Sequence, residues 1–506
     1  MNKAPEDRLP IFYLIIPVIV ALMIKFTFYI FLMNSAFKYY SFIKTLDMWT
    51  LLKWGLGVAF NGETANNLYV LLIATISRLS DGSLLSINAL FIFQMILGVL
   101  TVVFVVYTAW LMFNSKVLAL IAGLLTALYA PLLMYEGFIL KTSLIVFLST
   151  GLIFSSISFY RGNKKSFSIT CSGIFAGLLL TANFGSLCLV IGVYAWLIYT
   201  NLKFQKKSYI FAVFPSSLIA VLILFFVATG FKSFPIINGL LDSRWQEYIF
   251  NVGNQRHIAS LNEPVEDANN QTVKPSEIDV MPYLKKTGMI FSSEEVPDNI
   301  NYCFIRDGIF PLKYMLSPFL LYSLAIPSLL IFFCFYREGL NLLLVGISLI
   351  CMAIPLIIFV PLSRYTVFYA PILCIVTAWG ISFLGENILR KNSKVVLVVF
   401  LFFIGGFYLQ TMINPFPVIR ASDFIAYANA LEMQDPSDSK IDYAYEQAYL
   451  SDSDSVSHLG YNRYSNEKRQ QPEFSRMQRA NYKIPNYLKE DQPTDSIYYK
   501  KQKSRD

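Results

Sequence analysis

The sequence predicts an all-α polytopic membrane protein: about eleven transmembrane helices, interfacial amphipathic helices in the first outer loop, and a short soluble C-terminal tail. Three observations predict it. Hydrophobic side chains make up 55% of the 506 residues and charged ones only 15%, against roughly 25% charged in soluble domains. The charges that exist are unevenly spread, since Phe231 to Lys313 and the stretch after Asn414 have the composition of soluble protein. The other 330 residues hold only 20 Lys/Arg and 8 Asp/Glu, a density that suits an apolar solvent. Finally, these residues fall into runs long enough to span, a helix needing about 20.

The first run, Pro10 to Met33, follows a charged N-terminus without a small-residue cleavage site, so it reads as a retained helix rather than a secretion signal. The segment 34–83 is too long for a turn and too apolar for a free loop. Trp49, Leu52, Leu56 and Phe60, then Leu68, Leu72, Ile76 and Leu79, recur at helical spacing and predict two helices lying in the outer interface, with this stripe as their apolar face. Further spans are expected at Leu84 to Phe113, Val117 to Met134, Phe138 to Tyr160, Ser166 to Asn183, Gly185 to Thr200, Tyr209 to Thr229, Tyr314 to Tyr336, Leu340 to Val360, Tyr365 to Leu384 and Val395 to Met412. The fifth and sixth of the eleven are short. With the N-terminus cytoplasmic, 13 of the body's 20 basic residues lie at inward helix ends, as the positive-inside rule requires. The expected location is therefore the inner (plasma) membrane, with the C-terminus extracytoplasmic. A net charge of +8 arranged this way orients helices and does not point to nucleic acid as a partner.

That topology sorts the carboxylates. Asp47, Glu63, Asp81 and Glu136 face outward, so chemistry that needs a carboxylate is expected on the outer side. Glu63 and Asp81 adjoin Gly62 and Gly82, which suits turns or caps. Three cations stand where orientation does not explain them: Arg364 at the start of the tenth span, Lys141 one turn inside the fourth, and Lys25 deep in the first. A charge at such depth costs about 2.5–3.5 kcal/mol on the insertion scale, so Lys25 is expected to face a cavity or a partner; snorkelling to the headgroups is the alternative for all three. Five of the six cysteines, all but Cys303, lie in apolar runs as packing residues. Two histidines and no Cys-x-x-Cys make a zinc or haem site improbable.

The order of Leu46-Asp47 with Trp54-Gly55 seven residues on, Tyr69, Tyr129-Ala130-Pro131, Tyr135-Glu136-Gly137 to Lys141, Gly253-Asn254 with Pro264 beyond, and Ser363-Arg364-Tyr365 to Pro371 resembles the bacterial dolichyl-phosphate-mannose-protein mannosyltransferase-like group. These are polytopic membrane glycosyltransferases of the GT-C class, similar to glycosyltransferase family 39. The resemblance covers roughly Pro10 to Met412 and lies in pattern and order. It implies a polyprenyl-phosphate-linked sugar as donor, an envelope acceptor (protein, lipid or glycan), and Asp47 as the acid of the first outer loop at the transfer site. Glu136 stands with it as a second catalytic candidate. Arg364, Lys141 and Lys25 are the candidates for the donor phosphate, and Trp54, Tyr69, Asn254 and Tyr365 for the acceptor or groove. The resemblance fixes no cofactor, and a divalent cation is compatible with such chemistry.

Two other classes stay open. A lipid-carrier flippase or transporter needs polar sites along a path through the membrane. An inactive envelope-assembly scaffold agrees with Leu51 and Leu52 standing where related members often carry a second acid. Domain boundaries are expected at 1–412 for the membrane body, including the outer loop 231–313; at 413–450 for a helical hairpin like one degenerate TPR unit; and at 451–506 for a polar tail without packed structure.

Overall fold

The computed structural model describes residues 9–44, 46–80, 84–162, 165–203, 210–229, 300–358, 363–413 and 421–451. In chain order these form α1 (Ile11–Met33), α2 (Asp47–Phe60), α3 (Leu68–Leu79), α4 (Leu84–Phe113), α5 (Lys116–Leu128), α6 (Ala130–Glu136), α7 (Thr142–Tyr160), α8 (Lys165–Ala182), α9 (Leu187–Lys203) and α10 (Ile210–Ala228). Then follow α11 (Tyr302–Gly308), α12 (Pro318–Phe335), α13 (Gly339–Ile358), α14 (Ser363–Thr366), α15 (Ala370–Leu389), α16 (Ser393–Ile413), α17 (Ala421–Gln434) and α18 (Lys440–Ser451). The protein is an all-α polytopic membrane protein. Each expected span falls on one or more helical segments, and among the described residues eight helices are long and apolar enough to cross a membrane.

Two spans differ from expectation in a way that matters for the site. The third is not one helix from Val117 to Met134, because α5 stops at Leu128 and α6 restarts at Ala130. Pro131 has no N–H to continue the ladder and instead opens the new helix. The freed backbone finds partners in the chain before α12: Ala130 N–H donates to Leu316 O at 3.0 Å, and Leu316 N–H to Leu128 O at 3.0 Å. The fourth span begins at Thr142 rather than Phe138, so Lys141 occupies its N-cap and lies outside it. The residues between α6 and α7 form a buried turn that carries Lys141 at its end.

Helices form where these two were expected, but their buried face coincides with the expected stripe only at Leu52. Phe60 and Leu79 are exposed, at 53% and 83%. The two helices meet through Gly55, Val58, Ala59, Val70 and Ala74, small or branched residues that let two backbones approach. Arg78 fastens the pair by donating to Ala59 O and Val58 O at 2.8 and 3.0 Å. Glu63 turns back on α2, its N–H bonded to Gly57 O at 3.2 Å, in keeping with a turn role.

The body packs α1 on α4 and α5, α7 between α4 and α8, α8 on α10, and α12 on α15 and α16. At Gly173 the α8 backbone approaches α10 so closely that a Cβ would sit 2.5 Å from Phe214 O. At one end of the bundle, Arg161 caps the C-terminus of α4 by donating to Met112 O at 2.8 Å, and pairs with Glu338 at 3.0 Å. Tyr336 and Asn341 donate to the same carbonyl. The second compact unit contributes α17 and α18, which pack through Ile425, Phe424 and Ala448. There Tyr445 donates to Asn429 and Glu432.

Candidate active site

Asp47 is the first residue of α2. The extended, buried Leu46 ahead of it and the buried Met48 and Leu52 behind it set the start of that helix against the body, while the helix N-terminus favours a carboxylate. The side chain stays about half exposed, at 47%. Arg364 is the second residue of the short helix α14, which passes through a 3-10 turn with buried Val367 and Tyr369 into α15. Its Nη1 donates to Asp47 Oδ2 at 2.6 Å across 317 residues of sequence. The guanidinium carbon also lies 5.0 Å from the centre of the Tyr365 ring, a cation–π contact that restrains the fork.

Lys141 joins the same group. It stands at the N-cap of α7, and its ammonium donates to Asn183 Oδ1 at 3.4 Å, just past the end of α8. Burial lowers the Lys141 ammonium to about 8; Arg364 adds repulsion in the same direction, and Asp47 opposes both. Asp47, Arg364, Lys141 and Asn183 thus converge from α2, α14, the start of α7 and the end of α8. Successive spans alternate in direction, and all four positions fall at one end of the bundle, opposite the Arg161 cap.

Trp54 is exposed on the same helix as Asp47, at 45%. Seven residues return to nearly the same side of an α-helix about 10 Å along the axis, so the ring continues the face that Asp47 begins. Asn254 lies outside the described residues. Tyr69 differs from its expected place in a groove: it is 1% exposed, and its hydroxyl donates to Gln94 Oε1 at 2.8 Å inside the body.

Lys25 and Glu136 form a separate cluster. Lys25 Nζ donates to Glu136 Oε2, and both residues are buried. The partner expected for a deep lysine is thus a carboxylate, and the pair also lines a small cavity with Gly98, Thr101 and Tyr129. Gly98 of α4 makes room for this pair, since an added Cβ would collide with the Glu136 carboxylate. Neither Asn183 nor Gln94 stood out in the sequence. The available signals were a polar residue midway along a 30-residue apolar helix for Gln94, and the helix break at Asn183-Phe184-Gly185 for its amide.

Among the described residues no three His, Cys, Asp or Glu side chains converge on one point. Among the described residues the donor set around Asp47 also does not by itself suit a divalent cation. It holds one carboxylate already engaged by a guanidinium, with an ammonium beside it, whereas such ions take several oxygen ligands. The positive charge here is built into the chain.

No family model and no curated protein matches the sequence. Among solved structures the chain is similar to the Archaeoglobus fulgidus oligosaccharyltransferase in its apo form, with 12% identity and a TM-score of 0.41, over 87% of this chain and 59% of that one. It is similar also to the AglB oligosaccharyltransferase of that organism in complex with an inhibitory peptide and a dolichol-phosphate, with 14% identity and a TM-score of 0.40, again over 87% and 59%. A third structure of the A. fulgidus enzyme, with zinc and sulfate, gives 15% and 0.34 over 75% and 48%. The present chain spans about 59% of the length of the first two. At these scores the likeness says nothing of what it binds or does.

Proposed function

We propose that this protein is a glycosyltransferase that moves a sugar from a polyprenyl-phosphate donor to a hydroxyl of an envelope acceptor, on the extracytoplasmic face of the plasma membrane. The observation that carries this reading is the convergence of Asp47 with Arg364 and Lys141 from distant segments onto one end of an apolar helical body. Such a set pairs a proton acceptor with two cations beside the lipid phase, where an amphiphilic donor must present its phosphate.

In the proposed reaction the acceptor oxygen attacks the anomeric carbon and its proton passes to the Asp47 carboxylate. The bond from that carbon to the phosphate oxygen breaks, and its electron pair leaves with the polyprenyl phosphate. Arg364 and Lys141 hold the growing charge of that phosphate from a water-poor site, where fixed donors count most. Asp47 accepts from Arg364 through Oδ2, and in the proposed reaction Oδ1 takes the proton. Trp54 and Tyr365 flank the carboxylate and the guanidinium as surfaces for a sugar ring. The direct test is purified protein in lipid with a radiolabelled polyprenyl-phosphate hexose, with and without an envelope extract. Acceptor-dependent release of free polyprenyl phosphate is expected, and labelled donor that remains intact in every fraction overturns the reading.

Three measurements bear on parts of it. Arg364→Ala is expected to weaken donor binding about tenfold or more and Arg364→Lys to recover only part, because an ammonium lacks the planar fork; equal dissociation constants in all three proteins remove Arg364 from the donor site. Donor affinity is also expected to depend on pH. Lys141 binds phosphate only while protonated and is held at about 8, so affinity is full below pH 7 and falls as pH rises through 8. Lys141→Arg stays charged and is expected to abolish the fall. For the face, a cysteine at Thr50, beside Asp47, is expected to react with an impermeant thiol reagent in intact spheroplasts. Protection there, with labelling only after lysis, overturns the outward site.

A further inference from the structure

We propose that Gln94 is a positioning residue for Lys141, gripping the turn before it and the helix after it so that the ammonium is delivered beside Asp47 and Arg364. The proposal rests on the reading of that cluster as the site for the donor phosphate.

Gln94 lies inside α4 and is fully buried. Its Nε2 donates to Glu136 O at 3.0 Å and to Phe138 O at 2.9 Å. Its Oε1 accepts from Tyr69 OH at 2.8 Å and from Ser143 Oγ at 3.1 Å. All four hydrogen-bonding positions of the amide are filled. The chemistry of the partners settles which way the amide faces. Two backbone carbonyls only accept, so the NH₂ must meet them, and the two hydroxyls take the oxygen.

These partners bracket Lys141. Phe138 precedes it by three residues and Ser143 follows it by two, so a single side chain holds both flanks. Glu136 O is the last carbonyl of α6, where helical partners run out, and Phe138 O lies in the turn just beyond. In apolar surroundings such carbonyls need donors; Gln94 supplies the one to Glu136 O and adds a second to Phe138 O, which also accepts from Leu140 N–H at 2.8 Å. Phe138, Ile139 and Leu140 are buried, at 1%, 0% and 3%, which leaves the turn no water to bond instead.

The fourth bond extends the grip to the rest of the site. Tyr69 belongs to α3, which packs on α2, whose first residue is Asp47. Gln94 therefore fixes Lys141 against the same helix pair that carries the proposed base. A displacement of about 1 Å in a reacting constellation is enough to cost on the order of a hundredfold in rate.

The test reads Lys141 directly, without donor. In the full chain in lipid, competitive amine labelling followed by mass spectrometry gives the titration of Lys141 as a function of pH, in wild type and in Gln94→Leu, a substitution of similar size with no polar atoms. Wild type is expected to titrate near 8. In Gln94→Leu the midpoint is expected to move up toward an ordinary lysine as the turn loosens and water reaches the amine. Donor affinity is expected to fall about tenfold, with the maximal rate changed much less. A folded Gln94→Leu protein that keeps both the wild-type midpoint and the wild-type affinity overturns the proposal. Should that variant fail to fold, Tyr69→Phe and Ser143→Ala each remove one bond and are expected to move the midpoint in the same direction by less. No movement in either likewise overturns it. A shifted midpoint in a protein whose wild type transfers no sugar from any polyprenyl-phosphate donor upholds the positioning role and sinks the proposed function instead.

Discussion

Asp47→Asn is expected to insert, fold and bind donor as wild type does while transferring sugar at least about a hundredfold more slowly, the lower end of what general base catalysis contributes. The amide keeps the shape of the carboxylate, and its oxygen still accepts from Arg364 Nη1, which reaches Oδ2 at 2.6 Å in wild type. It cannot take a proton from the acceptor. The signature is therefore a split, with the donor dissociation constant unchanged or tighter because a negative charge next to the phosphate is gone, and the maximal rate collapsed. Asp47→Glu keeps the base but moves it by about one methylene, and is expected to lie between. A variant that retains more than about a tenth of the wild-type rate shows that Asp47 does not take the proton, and an equal loss in donor affinity and rate shows that it only holds Arg364.

The helices were legible because hydrophobic run length is a local property. α4 occupies the expected residues Leu84 to Phe113, and α1 lies within one residue of expectation. The site was half legible. Asp47, Arg364 and Lys141 stood out because charges in or beside apolar runs need a reason, and alternating span direction assigns all three to one end. Which charge meets which was not in the sequence, since the partners lie 317 residues apart for Asp47 and Arg364, and 111 for Lys25 and Glu136. Nothing local separates Lys25, closed on Glu136, from Lys141, delivered to the cluster. Tyr69 was misplaced for a related reason: an amphipathic pattern identifies two faces of α3 without saying which one meets the body. There the small face packs inward and carries the tyrosine with it. Gln94 and Asn183 are uncharged, and an amide inside an apolar run becomes informative only once its partners are known.

Breaking the Lys25 and Glu136 pair is the second large effect expected. Both side chains are buried and Gly98 packs directly against them, so removing one partner strands the other as a buried, unpaired charge. Lys25→Met and Glu136→Gln are each expected to destabilise the protein by about 3–5 kcal/mol, a large share of the roughly 5–15 kcal/mol that folded proteins have. Removing both at once strands nothing, and Lys25→Met with Glu136→Gln is expected to recover most of the loss. Thermal unfolding of the four proteins in lipid nanodiscs closes the cycle, and losses that simply add show that the two residues do not act as a pair. The same double variant separates a scaffold from a catalytic role. The backbone carbonyl of Glu136 stays in the grip of Gln94 whatever its side chain becomes, so the turn leading to Lys141 is preserved. A stable double variant with full transfer confines the pair to holding α1 against α4 and α6. Loss of transfer in that same stable protein gives the Glu136 carboxylate a part in the reaction beside Asp47.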